Sequence, residues 1–275
     1  LLVHFLNPPN WFTAASILCS TTAIGLLLEG ASSGALQAEL LVRACILIVV
    51  GGVFDNLDGR VARLTRRETE FGIQLDSIAD ILGFGFSPAL IAWAWQLHRF
   101  GKVGLAVTFA YVACAAFRLA RFNVNTVTRS WPFAGHSQGL TSTMSGGILV
   151  SFIWMGNEGW LAYFGLPDAA VPAVTVALVA ALAYFMVSSI PYRNFKDVKQ
   201  SRVARRYMAL AVTVTLGAAW WYREAVMFFG AASALYLIAG TLDGLLTAAK
   251  AGALNAALLI GNDPASDDDA HPSRP

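Results

Sequence analysis

Eight long apolar runs separated by short polar connections constrain this chain more than any other feature. They cover roughly residues 11–29, 36–57, 75–97, 102–121, 139–157, 168–190, 207–222 and 225–247. Most are near the ~20 residues that a helix needs to cross the hydrocarbon core of a bilayer. Pro172 to Ile190 holds no charged residue. In lipid every backbone N–H and C=O must be satisfied within its own segment, so the runs are predicted to be helices. The run at 207–222 is short enough to form half of a re-entrant pair. Only 13% of the 275 residues are charged and 56% are hydrophobic, against about 25% charged in a soluble domain. Too little polar surface remains for a water-soluble globule, and that class is excluded. The expected fold is all-α, a polytopic membrane bundle of about eight spans. A six-helix core at about 8–200 and two C-terminal helices form one domain over 1–247. Residues 248–275 are expected to be a polar, disordered tail carrying Asp267, Asp268 and Asp269.

Charge distribution orients the bundle. Arg60, Arg63, Arg66 and Arg67 follow the second run, Arg118, Arg121 and Arg129 the fourth, and Arg193, Lys196, Lys199, Arg202, Arg205 and Arg206 the sixth. The alternate connections are poorer in cations: Glu29 and Glu39, Arg99 and Lys102, Glu158 and Asp168, then Arg223 and Glu224. The positive-inside rule puts the cation-rich side, with both termini, in the cytoplasm. The expected location is the inner membrane of a prokaryote. Trp93, Trp95, Trp220 and Trp221 are expected at the lipid–water boundary. Cys19, Cys45 and Cys114 stand singly in apolar runs, which suits small buried residues rather than a disulfide or metal site. The chain opens at Leu1 rather than Met, so its natural start is expected further upstream, and no cleavable leader is evident.

The chemistry concentrates between Asp55 and Asp80. Asp55 and Asp58 stand three apart near the end of the second run, and Asp76 and Asp80 four apart at the start of the third. Each spacing puts its pair on one helix face. The short connection makes the helices antiparallel neighbours, so all four carboxylates are expected to meet near the cytoplasmic surface. One Asp at the centre of a spanning helix costs about 2.5–3.5 kcal/mol. Four together call for cations, and Arg60 and Arg63 offset only part of the repulsion. An all-oxygen donor set without Cys or His selects Mg²⁺ or Mn²⁺ over zinc, and two such ions would neutralise the cluster. Gly59 and Gly72 beside the acids would let a ligand approach the backbone closely.

The string Asp55-x-x-Asp58-Gly59-x-x-Ala62-Arg63, then Gly72, Asp76 and Asp80, resembles the signature of the CDP-alcohol phosphotransferase family at every fixed position. Eight fixed residues at about one in twenty each match by chance on the order of 10⁻¹⁰ per start position. Further stretches resemble the phosphatidylserine synthase branch: Pro9-Asn10-x-x-Thr13, Phe71-Gly72, Phe84-Gly85-x-x-Pro88-Ala89, Arg118-Leu119-Ala120-Arg121-Phe122-Asn123, Ser188-Ser189-Ile190 and Asn194-Phe195-Lys196. Two places depart from it. Thr141 and Thr143 stand where prolines are usual, and Gly83 where serine is common.

The resemblance implies that the phosphatidyl group of CDP-diacylglycerol passes to the hydroxyl of L-serine, with release of CMP. It implies metal ligation by Asp55, Asp58, Asp76 and Asp80, with Asp80 also the candidate base. Asn10, Thr13, Gly59, Ala62, Arg63 and Gly72 would hold the CDP-lipid. Arg118, Arg121 and Asn123 would hold the acceptor. A homodimer in the bilayer is a further expectation. Branches that use glycerol 3-phosphate or an inositol phosphate usually carry a charged residue just after the last aspartate, where this chain has Ile81. An ion-coupled transporter is the rival from another class. It would place its carboxylates near the midplane and show an inverted repeat, and no such repeat is evident.

Overall fold

In the computed structural model, residues 7–32, 38–65, 69–128, 136–193 and 224–261 are described. The six-helix core is there, as α1 (Pro8–Ser32), α2 (Ala38–Thr65), α3 (Glu70–Trp95), α4 (Gly101–Thr128), α5 (Ser142–Asn157) and α6 (Val171–Val187). A long C-terminal helix, α7 (Glu224–Gly261), follows. Among the described residues, five helical stretches are long and apolar enough to cross a membrane: α1, α2, α3, Leu97–Thr128 and Asp168–Val187. Apolar helices of this length make the chain an integral membrane protein. The expected seventh run, Trp220, Trp221, the cationic stretch from Lys196 to Arg206, and Arg66, Arg67 and Arg129 lie outside the described residues. So does 262–275. One boundary is corrected: residues 248–261 continue α7 rather than beginning a tail, because this stretch is rich in Ala and Leu, both strong helix formers.

The core is built where small residues let helices approach. α5 has 16 residues, of which Ser142, Ser145, Gly146, Ile148, Leu149, Val150, Ser151, Ile153 and Trp154 are buried. It packs against α2, α3, α6 and α7, so protein rather than lipid surrounds much of it. A Cβ on Gly146 would stand 3.0 Å from the Phe84 carbonyl oxygen, and one on Gly83 would stand 3.2 Å from Ser20 Oγ. The residue that departs from the serine common in the branch is therefore at a close crossing of α1 and α3.

α3 is not uniformly α-helical. Thr69 caps its start by accepting from the Gly72 N–H at 3.0 Å. Glu70–Asp80 is α-helix, Ile81–Phe86 is π-helix, and Ser87–Trp95 is α-helix again. A π turn shifts the hydrogen-bond ladder by one residue. The Phe84 carbonyl accepts from the Tyr111 hydroxyl at 3.3 Å, and Tyr111 in turn accepts from Ser145 at 3.0 Å. Tyr111 is fully buried, so this chain of bonds joins α3, α4 and α5 inside the bundle. Trp93 is exposed on the bundle surface, as a boundary aromatic should be, whereas Trp95 packs edge-on against Phe152 of α5.

One small feature was not expected. His136–Gln138 (β1) pairs antiparallel with Pro191–Arg193 (β2), ahead of α5 and after α6. This ribbon lies at the same end of the bundle as the starts of α1, α3 and α5 and the ends of α2, α4 and α6.

Candidate metal centre and acceptor face

The end of α2 and the start of α3 deliver the acids. Carboxylate oxygens of Asp55, Asp58 and Asp76 lie within 4.8 Å of one another, with Asp58 buried and the other two half-buried. At that separation two unit charges repel by on the order of 3 kcal/mol at an effective dielectric of 20. The Thr13 hydroxyl of α1 donates to Asp58 Oδ2 at 2.7 Å. A buried hydroxyl of this kind orients a carboxylate from behind. Thr13, expected against the CDP-lipid, thus stands directly behind one of the grouped acids. Asn10 is buried one turn earlier, and a Cβ on Gly72 would stand 3.3 Å from Asn10 Oδ1. Gly72 lets α3 seat closely on α1.

The donors fit a hard divalent cation. All three are carboxylate oxygens, their spacing needs little closure to share one ion, and no Cys or His stands in the group. The acidic group can therefore hold a metal. Asp80 is not part of this trio. It sits one helical turn beyond Asp76, and its charge acts on Arg118 of α4. Of the four carboxylates expected to meet, Asp55, Asp58 and Asp76 form the close group, and Asp80 stands one turn beyond it.

On the open side, Gly59 has no atom within 4 Å of where a Cβ would stand, and it is exposed. Arg63 Nε donates to the Gly59 carbonyl at 3.0 Å, and Ala62 is half-buried between them. This leaves a low, accessible step of backbone directly beside Asp58.

The last turns of α4 form the other wall. Arg118 is 6% exposed, and its Nη1 donates to Ser142 Oγ at 3.0 Å. Its guanidinium lies 5.4 Å from the centre of the Phe122 ring. Asn123 donates to Ser77 Oγ at 3.2 Å, which ties α4 to the stretch between Asp76 and Asp80. Arg121 behaves differently. Its Nη1 donates to the Val187 carbonyl and its Nη2 to those of Gln138, Met186 and Ser188, at 2.7–3.1 Å. These are the terminal carbonyls of α6 and the end of β1, so Arg121 caps a helix.

Ser142 was not singled out from sequence as a site residue. The one signal was that it sits in the stretch where the branch usually has prolines. Thr141 caps α5 by accepting from the Met144 N–H at 3.3 Å, which places Ser142 at the first turn to receive Arg118.

A helical membrane bundle with three converging carboxylates beside an open backbone step at one end suits a membrane enzyme that handles phosphorylated groups through a divalent cation. The chain belongs to the CDP-alcohol phosphatidyltransferase family, whose model matches residues 6–253. It is 35% identical over 191 residues to the CDP-diacylglycerol–serine O-phosphatidyltransferase of Helicobacter pylori (strain ATCC 700392 / 26695), covering 70% of this chain and 73% of that protein. Proteins of the same name from Bacillus subtilis (strain 168) and Saccharomyces cerevisiae (strain ATCC 204508 / S288c) are similar to it. The first is 25% identical over 68% of this chain and 90% of its own length, the second 46% identical over 30% and 29%.

Proposed function

We propose that this enzyme transfers the phosphatidyl group of CDP-diacylglycerol to the hydroxyl of L-serine, giving phosphatidylserine and CMP. The observation that carries the reading is the grouping of Asp55, Asp58 and Asp76 beside Asp80 and Arg118. The relatives named for this reaction across bacteria and yeast support serine as acceptor.

Asp55, Asp58 and Asp76 would hold Mg²⁺ or Mn²⁺, two ions in all, with Asp80 at the rim. When bound, a divalent cation neutralises these acids and stabilises charge on the pyrophosphate and on the departing CMP. The open step at Gly59 and Ala62 admits the cytidine, Arg63 stands near the phosphates, and Asn10 and Gly72 shape the wall behind. Asp80 takes the proton from the serine hydroxyl as its oxygen bonds to the lipid-side phosphorus and the bond from that phosphorus to the CMP oxygen breaks. Arg118 and Asn123 offer donors to the serine carboxylate. Arg121, engaged with four carbonyls, shapes that wall. The lipid tails stay in the bilayer while serine enters from the cytoplasm. A homodimer belongs to the same proposal, each copy carrying a whole site.

The test is CMP release by purified protein supplied with CDP-diacylglycerol and, in separate reactions, L-serine, glycerol 3-phosphate or inositol phosphate. Serine-dependent release is expected. Release with another acceptor and none with serine would overturn the reading.

A further inference from the structure

The stretch Phe84-Gly85-x-x-Pro88-Ala89 takes no part in the proposed chemistry, yet it begins one turn beyond Asp80 inside a spanning helix. Pro88 has no N–H. In an α-helix each carbonyl accepts from the residue four positions on, so Pro88 cannot serve the Phe84 carbonyl. The Tyr111 hydroxyl of α4 donates to that oxygen at 3.3 Å, and Ser145 of α5 orients the phenol by donating to it at 3.0 Å. Just before, the Ser87 N–H donates to the Leu82 carbonyl five residues back, and the Ser87 hydroxyl donates to the same oxygen at 2.8 Å.

A π turn holds one residue more than an α turn. At 3.6 residues per turn, that extra residue rotates the helix before it by about 100° relative to the helix after it. The later half of α3 is fixed, with Ser87, Pro88, Ala89, Ile91 and Ala92 buried in the bundle. The earlier half carries Asp76 and Asp80. The turn between them is gripped on three sides. A Cβ on Gly52 of α2 would stand 3.3 Å from the Phe84 ring, one on Gly146 of α5 would stand 3.0 Å from the Phe84 carbonyl oxygen, and one on Gly85 would stand 3.2 Å from Ala115 Cβ of α4. Gly52 is three residues before Asp55, so the Phe84 ring packs on α2 within a turn of the acids that α2 carries.

We infer that Tyr111 is a positioning residue. By meeting the Phe84 carbonyl that Pro88 leaves open, it holds the π turn in place, and the π turn sets the rotation at which α3 presents Asp76 to Asp55 and Asp58. The inference rests on the proposed reading of these three acids as metal ligands. Tyr111 is fully buried, so water does not replace a hydroxyl lost there. A bare carbonyl in a spanning helix is costly. Without Tyr111, α3 relieves that cost by shifting its ladder, and Asp76 swings away from the other two acids.

The experiment titrates full-length protein in detergent with Mn²⁺, following the free ion by electron paramagnetic resonance, and measures the melting temperature of each variant. Tyr111→Phe keeps the ring and removes only the hydroxyl. Well below its melting temperature, its dissociation constant for Mn²⁺ should rise about tenfold, the order seen when a group that orients a metal ligand is lost. The double variant Tyr111→Phe with Pro88→Ala returns an N–H four residues after Phe84, so the ladder can close as an α-helix. It should regain melting temperature over the single variant yet bind Mn²⁺ no better, because the carbonyl is met in the wrong register. A merely structural role would restore both together. Wild-type Mn²⁺ affinity in Tyr111→Phe, or affinity restored along with stability in the double variant, overturns the inference. Where Tyr111→Phe does not fold, the double variant decides alone: folded protein with weakened Mn²⁺ binding supports the inference, and wild-type affinity overturns it. Wild-type protein that binds no Mn²⁺ overturns the metal reading of the acids instead, so the two failures are distinguishable.

Discussion

At the scale of single residues, four aspartates of one type divide into two environments. Asp58 is buried, held by Thr13, and grouped with Asp55 and Asp76. Asp80 stands one turn beyond Asp76, outside that group. Their substitutions should therefore part company. Asp58→Asn removes a charge from the grouped acids and should weaken metal and CDP-diacylglycerol binding together. Asp80→Asn keeps the size and loses the basicity, so turnover should fall by about 10²–10⁴-fold while CDP-diacylglycerol binding is largely spared. Titration of the lipid against both variants, beside CMP-release rates, separates the roles. Equal loss of binding would remove the base assignment from Asp80. Thr13→Val tests the support behind Asp58. Losing such a partner typically costs 10–100-fold in metal affinity, so the metal concentration for half-maximal rate should rise by that order with little change in the saturated rate. An unchanged metal dependence would reduce Thr13 to packing.

At the scale of elements, the site depends on how helix ends are finished. α6 ends on carbonyls that no helical N–H can reach, and Arg121 gathers them together with the end of β1. Gly139 follows β1 with φ +75, and any Cβ there would collide with the Met186 carbonyl oxygen. The segment that presents Thr141 and Ser142 to Arg118 is thus set by one arginine and one glycine. Arg121→Ala should cost about 2–4 kcal/mol, read as a lower melting temperature in detergent. At temperatures where the variant is folded, its KM for CDP-diacylglycerol should be unchanged. A folded variant of normal stability with a raised serine KM would instead return Arg121 to the acceptor pocket. The helices themselves were legible in advance, because apolar runs of spanning length have one satisfactory backbone solution in lipid. The π turn at Ile81–Phe86 and the β1–β2 ribbon were not. Both answer contacts between segments far apart in the chain, such as Tyr111 with Phe84 and Ser137 with Tyr192.

At the scale of the whole molecule, the bundle has one polar working end. Three acids so close together should make activity depend on an added divalent cation and vanish on chelation. Full turnover in excess chelator, with no metal found by elemental analysis, would contradict that. The orientation is tested by labelling. Leu64 and Tyr163 are 83% and 75% exposed, at opposite ends of the bundle, while Cys19 and Cys45 are buried and Cys114 is half-buried within a spanning helix. In right-side-out membrane vesicles an impermeant maleimide should reach Tyr163→Cys at once and Leu64→Cys only after permeabilisation. The reverse pattern would put the carboxylates outside the cell. The sequence alone determined the class of fold, the family and the acidic group, because apolar run length, charge asymmetry and the Asp55–Asp80 spacing are local quantities that survive without coordinates. The tertiary structure decided the rest: that three aspartates converge while the fourth stands a turn beyond, that Thr13 hydrogen-bonds Asp58, that Arg121 caps α6, and that α7 packs on the β1–β2 ribbon. Each of these depends on which helices pack side by side, and spacing along one segment carries no information about the side chain that a neighbour will set against it.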